Sequence, residues 1–126
     1  MEFQQGDQVT GIYKTGKYAG VITAIRPMHY LVQVKAVLKH PVQGDLHSPK
    51  NAEVPLFHER RALSFNEQTN VPKNMVKEFT GDFPEYSSSL RDALLQQREE
   101  LNGDSSDWAQ KSLACLQVLE KDYHLR

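Results

Sequence analysis

Cysteine is almost absent from this chain: Cys115 is the one thiol among 126 residues. No internal disulfide can form, and such cysteine usage points to a reducing compartment. Long apolar runs are also missing; none approaches the ~18 residues of a transmembrane helix. The opening MEFQQGD lacks the basic and apolar regions of a secretory signal, so the cytosol is the expected compartment. Charge of one sign is scarce too. Lys and Arg number 15 against 16 Asp and Glu, for a net charge of −1. Residues 1–79 carry a net +3 and residues 80–126 a net −4, so the two halves differ in character without forming a polyelectrolyte-binding surface. A nucleic-acid binder would more often show a clearly basic face. No Ser sits in a Gly-x-Ser-x-Gly elbow, and no Gly-Lys-Ser or Gly-Lys-Thr follows a strand, so nucleophile-elbow and phosphate-loop chemistry have no footing.

What is present begins at Gly6. From there to Pro41, apolar and aromatic residues alternate: Val9, Ile12 and Tyr13, then Tyr18 and Val21, then Tyr30, Val32 and Val34. The alternation predicts three strands, about Gln8–Lys14, Tyr18–Arg26 and Tyr30–Lys39, with Thr15-Gly16 reversing the chain between the first two. Pro27 separates the second from the third, because proline cannot donate to a central ladder. A fourth strand is expected near Glu53–His58, with Pro55 suiting an edge, and Glu59–Phe65 reads equally as strand or helical turn. The stretch Asn70–Phe79 resembles the end of SH3-type barrels, where a single 3₁₀ turn precedes a short last strand.

The character changes after Gly81. Tyr86, Leu90, Leu94 and Leu101 recur at helical spacing, Pro84 suits a first helical turn, and Asn102-Gly103 reads as a stop. Ser105 or Ser106 can cap a second helix with Asp107 in its first turn. Trp108, Ala109, Leu113, Leu116, Leu119 and Tyr123 form its apolar stripe and read as core. The expected fold is therefore mainly β: an SH3-like barrel over residues 1–79, followed by a helical hairpin over residues 80–126.

The histidines raise the question of chemistry. His40, His47 and His58 lie near Asp45, Glu53 and Glu59, all potential ligands of a borderline metal. Their spacing matches no metal signature, so no metal or other cofactor is expected; a metal-dependent enzyme is kept as an alternative. Cys115, mid-helix beside Leu113 and Leu116, reads as an inert thiol. Tyr13, Tyr18 and Tyr30 could line an aromatic groove but read first as barrel wall with wet hydroxyls. The long loop from His40 to Asn51 exceeds the usual connection length, which often marks a binding element. Together with Phe57, His58, Glu59, Arg60 and Arg61 it is the candidate partner surface, with His40, Asp45 and His47 on its first limb. A nucleic-acid-binding barrel is the second alternative, against which the near-zero charge argues.

The segments GDQVTGIYKTGKYAG, YLVQVKAVLKHPVQGDLHSP, VPLFHERRAL and NVPKNMVKEF together resemble the kinase-associated protein B family of spore-forming Firmicutes, also called kinase-associated lipoprotein B. The likeness spans about Gly6–Phe79 and continues more weakly through the helical tail. It implies an SH3-like barrel with C-terminal helices. It also implies a non-catalytic regulator that activates a membrane sensor histidine kinase feeding the sporulation phosphorelay. The family supplies no catalytic residue set. Its second name implies a lipid-modified N-terminal cysteine, whereas Cys115 lies near the opposite end; lipidation is therefore not expected, and any work at the membrane would depend on recruitment by the kinase or another relay component.

Overall fold

A computed structural model describes residues 2–45, 50–54 and 57–124. Five antiparallel strands form one sheet in the order β4-β3-β2-β1-β5. They are β1 Gln8–Tyr13, β2 Gly16–Ile25, β3 His29–Lys39, β4 Gln68–Pro72 and β5 Val76–Glu78, with a 3₁₀ turn at Lys73–Met75 between the last two. Helices α1 Tyr86–Asn102 and α2 Asp107–Asp122 follow. This is the mainly β, SH3-like barrel with a helical hairpin that the alternation and the helical period anticipate.

The two long strands make the barrel. β2 and β3 pair from Lys17↔Lys39 to Ile25↔Tyr30, and their register slips at three points. One-residue slips of this kind bend a strand pair and increase its twist. Gly20 sits beside one of them because nothing larger fits: a Cβ there would stand 2.2 Å from the Gln33 carbonyl oxygen. The bending brings β4 across to β1, where Val71 lies against Gly11. Val9, Ile22, Tyr30, Val32, Val71 and Val76 fill the interior, with Phe3 packed on their edge.

Two expectations shift by a residue or two, and a third is resolved between its two candidates. The β1–β2 turn is Lys14-Thr15, both at positive φ, and Gly16 already belongs to β2. Thr15 is held in this unfavourable region by a tertiary bond, since its hydroxyl accepts from the Val42 N–H at 2.9 Å. Pro84 lies outside α1, whose N-cap is Glu85. Of the two candidate caps for α2 it is Ser106 that accepts from the Ala109 N–H, at 3.1 Å.

The fourth strand is a larger correction. It lies at Gln68–Pro72, paired with β3, and not near Glu53–His58, whose described residues belong to no strand; Pro55 and Leu56 lie outside the described residues. Val71 is the one buried residue of β4, so its sequence has no alternation to reveal it. The edge-proline rule holds, but for Pro72, which closes the sheet's outermost strand.

The hairpin packs on β3 through a second cluster, in which Leu90 and Ala93 meet Tyr18, Val34, Val37 and Ala62. Polar groups fix the docking. The Val37 N–H, next to a register slip, donates to the Ser89 hydroxyl at 3.0 Å, and that hydroxyl donates to the Tyr86 carbonyl at 2.7 Å. A third cluster, Leu94, Leu101, Trp108, Ala109, Leu116 and Leu119, joins the helices to each other. The Arg98–Glu120 ion pair also links them, at 2.8 Å, but both side chains are over a third exposed. Such a pair contributes at most about 1 kcal/mol, whereas each buried leucine contributes about 1.5–3. Apolar burial therefore decides the pairing of α1 with α2.

A candidate partner surface at the barrel–hairpin seam

The chain leaves β3 at Lys39 and at once turns inward. His40 is completely buried, not a surface residue of the loop as its sequence context predicts. Its Nδ1 lies 3.0 Å from the Pro41 carbonyl and its Nε2 lies 3.0 Å from the Tyr123 hydroxyl. A carbonyl only accepts, so Nδ1 carries the proton and Nε2 accepts from Tyr123. The Tyr123 hydroxyl in turn accepts from the Ala62 N–H at 2.9 Å. Burial lowers the pKa of His40 below its ordinary 6.5, an effect that the Pro41 carbonyl and the Gln97 side chain partly offset. A neutral imidazole with both nitrogens engaged is a structural bracket between β3, the second limb of the loop and the end of α2.

Gln43 repeats the device. Its side-chain Nε2–H groups donate to the carbonyls of Pro41 and Arg60, at 3.0 and 2.9 Å, while its Oε1 accepts from the Arg60 N–H at 2.8 Å. The amide stands in for a neighbouring peptide unit. Beside it, the Gly44 N–H reaches the His58 carbonyl at 2.9 Å. Gly44 has φ +102°, and a Cβ there would lie 3.1 Å from the Phe57 ring. The Trp108 indole N–H donates to the Gln43 carbonyl at 3.2 Å. The Gln97 amide reaches the carbonyls of His40 and Pro41, at 2.9 and 3.1 Å. These contacts explain why residues 57–63 form no strand. Their backbone groups are taken by side chains of the loop, by Tyr123 and by Tyr18, whose hydroxyl accepts from the Leu63 N–H at 3.3 Å.

The eight predicted contact residues therefore separate. His40 is interior. Asp45, Phe57, His58 and Arg60 are half-buried along the seam, and Glu59 and Arg61 are exposed. His47 lies outside the described residues. Phe57 packs into the third cluster under the Lys111 ammonium, which sits 5.7 Å from the ring centroid. Arg60 Nε–H donates to the Gly44 carbonyl at 3.3 Å. Arg61 pairs with Asp122 at 2.9 Å and stacks over Tyr123. What the fold presents outward here is a strip of mixed charge, Glu59, Arg61 and Asp122, on a rigid backing.

The arrangement offers no catalytic constellation among the described residues. His40 has no free nitrogen, and no group of three His, Cys, Asp or Glu side chains converges as metal ligands would. Burial raises the Cys115 thiol pKa, which leaves it protonated and weakly nucleophilic. The tyrosines do not form an open aromatic groove. Tyr18 and Tyr30 are buried, and their hydroxyls accept backbone N–H groups of Leu63 and Phe3 instead of standing in water. Burial pushes the Tyr18 phenol up to about 12.

Comparison with known proteins settles the lineage. The chain matches the family described as "Kinase associated protein B" over residues 13–124. It belongs to that family. A curated relative, "Kinase-associated lipoprotein B" of Bacillus subtilis (strain 168), is 59% identical over 124 residues, covering 98% of this chain and 97% of the relative. A solved structure, the X-ray crystal structure of kinase-associated protein B from Bacillus cereus, superposes with a TM-score of 0.84 at 48% identity, covering 98% of this chain and 100% of that one. Both names describe association with a kinase and neither describes a reaction. No helix among the described residues is long and apolar enough to cross a membrane.

The residues that sequence reasoning passed over are the polar ones that clamp the seam: Gln43, Ser89, Gln97 and Tyr123 as a hydroxyl. A signal was available. Ser89, Ala93 and Gln97 stand four apart, on the same face as Leu90 and Leu94. Polar residues on an apolar stripe must find partners across it.

Proposed function

We propose that this protein is a non-catalytic regulator that binds a kinase, and that the kinase is a membrane sensor histidine kinase or another component of the sporulation phosphorelay. The observation that carries the reading is membership, along nearly the whole chain, in a family whose relatives are named for kinase association. The seam supports it: Gln43, Gly44 and the backbone of His58–Ala62 are held from behind, which leaves a preorganised outer strip and, among the described residues, no activated nucleophile. The protein works from the cytoplasm and reaches the membrane through its partner, without inserting. It needs no cofactor and no nucleic acid.

An activator of this kind binds the active state of its target more tightly than the inactive one. A tenfold preference corresponds to about 1.4 kcal/mol, which one or two well-placed polar contacts supply. The contact surface in this reading is the exposed strip of Glu59 and Arg61 with the half-buried Asp45, His58, Phe57 and Arg60 along it; His47 is assigned to it from its place in the sequence alone. His40 contributes by holding the strip in place.

The test pairs two double variants, Glu59→Lys with Arg61→Glu and Asp45→Ala with His47→Ala, in a purified kinase autophosphorylation assay. Stimulation of the kinase should fall while the melting curve stays within about 1 kcal/mol of the parent, since Asp45, Glu59 and Arg61 belong to none of the buried clusters. Full stimulation by both folded variants would move the working surface elsewhere, first to the acidic hairpin.

A further inference from the structure

Two turns at one end of the barrel carry apolar side chains that the core does not take. The turn between β2 and β3 runs through Ile25, Arg26, Pro27 and Met28, and all four residues are exposed. Ile25 is 51% exposed and Met28 72%. Met75, 42% exposed, lies on the 3₁₀ turn, and the Lys73 N–H of that turn donates to the Met28 carbonyl at 3.2 Å. Single apolar side chains on a surface need no account, but a group of them on two joined turns marks a contact site. Met28 projects from the surface and lines no recess. The shape therefore suits a layer that the side chains enter, and not a small molecule, which needs a concave site.

We propose that this end of the barrel rests on an anionic lipid bilayer, with Ile25, Met28 and Met75 dipping into the headgroup layer. Charge selects the occupant. Arg26 and Lys73 stand among the apolar groups, and no Asp or Glu occurs in residues 23–44 or 68–77. Both cations are held in place. Arg26 Nε–H donates to Asn70 Oδ1 at 2.9 Å, and the Lys73 ammonium lies 5.1 Å from the centroid of the Tyr30 ring. Neither belongs to an ion pair among the described residues. The carboxylates of Glu2, Asp7 and Glu78 gather around another recess, with Phe3 and Phe79. Cations beside projecting apolar groups bind anionic lipid by burial and charge attraction together. A second copy of the chain would bring the same cations to the contact and be repelled. The turn is also closed on itself, with the Arg26 N–H donating to the His29 carbonyl at 2.9 Å. That bond survives entry into the interface, where an unpaired amide would resist it. The contact is peripheral and spans nothing. It does not rest on the kinase reading; where a kinase recruits the protein, it orients the barrel on the bilayer.

The full-length protein is sedimented with vesicles of phosphatidylcholine alone, and of phosphatidylcholine with one third phosphatidylglycerol. No kinase is present, so the result is independent of the seam. Binding is expected on the anionic vesicles, about tenfold weaker on the neutral ones, and weakened by added salt. Ile25→Ser with Met28→Ser should weaken it about tenfold through lost apolar burial. Arg26→Gln with Lys73→Gln should weaken it about tenfold and remove most of the salt dependence. Both variants should melt with the parent, because the altered side chains belong to none of the buried clusters. Leu95→Ser with Val118→Ser removes similarly exposed apolar groups from the helices, 47% and 50% exposed, and should bind as the parent does. No binding to anionic vesicles, equal binding to neutral ones, or an equal loss in the helix variant would overturn the proposal. So would parent-level vesicle binding by the folded Ile25/Met28 variant; if that variant also failed to stimulate the kinase, the turn would be a protein contact instead.

Discussion

Trp108 shows how a single side chain can join parts of the fold distant in sequence. It is buried at 8% exposure, packs against α1 and α2 leucines, and donates to the Gln43 carbonyl 65 positions away. Trp108→Ala should cost about 3–5 kcal/mol, read as a loss of denaturation free energy, because a large aromatic is removed from a core that cannot fully collapse. An unchanged melt would place the ring outside the core. His40 makes a different prediction. Burial holds its folded pKa below the ordinary 6.5. The neutral form is thus favoured by folding, and its contribution is complete above the unfolded value. That contribution is lost as pH falls from about 6.5 through the depressed folded value, since the unfolded chain then binds the extra proton. Stability measured by denaturation should fall across that interval, and His40→Gln should flatten the dependence. An unaltered slope in the variant would remove His40 as its source.

Between elements, polar clamps set the geometry and apolar burial supplies the free energy. The register slips that curl β2 against β3 leave the Val37 N–H to be met by Ser89 of α1. Ser89→Ala should cost about 1–3 kcal/mol, the desolvation cost of a buried donor left without a partner, because alanine cannot reach it. Chemical denaturation measures this directly; a cost within error would mean that water reaches the Val37 amide. The element most exposed to misreading was β4. Its five residues hold one buried apolar side chain, so the strand exists because β3 offers a free edge and not because its own pattern demands one. The segment expected to pair instead, around His58, has its hydrogen bonds claimed by the Gln43 amide, Gly44 and Tyr123.

Across the whole molecule, the β-sheet and the two C-terminal helices share one buried cluster, in which Tyr18, Val34 and Val37 meet Leu90 and Ala93. We propose that the two parts fold as one cooperative unit. A chain ending at Phe79 would expose that cluster and strand the Val37 amide. It should therefore be aggregation-prone and lack a sharp thermal transition, as circular dichroism and light scattering would show; a well-folded monomeric fragment would establish the barrel as autonomous.

Local sequence alone accounts for the first three strands, the 3₁₀ turn before the last strand, both helices and the burial of Trp108. Each of these rests on a local period or a local cap, and such signals survive without knowledge of the neighbours. It determined the family as well, through long quoted stretches such as GDQVTGIYKTGKYAG and HPVQGDLH. Only the tertiary structure decided where β4 lies, that His40 faces inward as a neutral bracket, and that the turn carrying Met28 joins the turn carrying Met75. Those outcomes depend on hydrogen bonds between residues well apart in the chain, such as Gln43 with Arg60, 17 positions apart, and His40 with Tyr123, 83 apart. A polar side chain carries the same letter whether it meets water or a buried partner; its environment is chosen by the packing of elements remote in sequence.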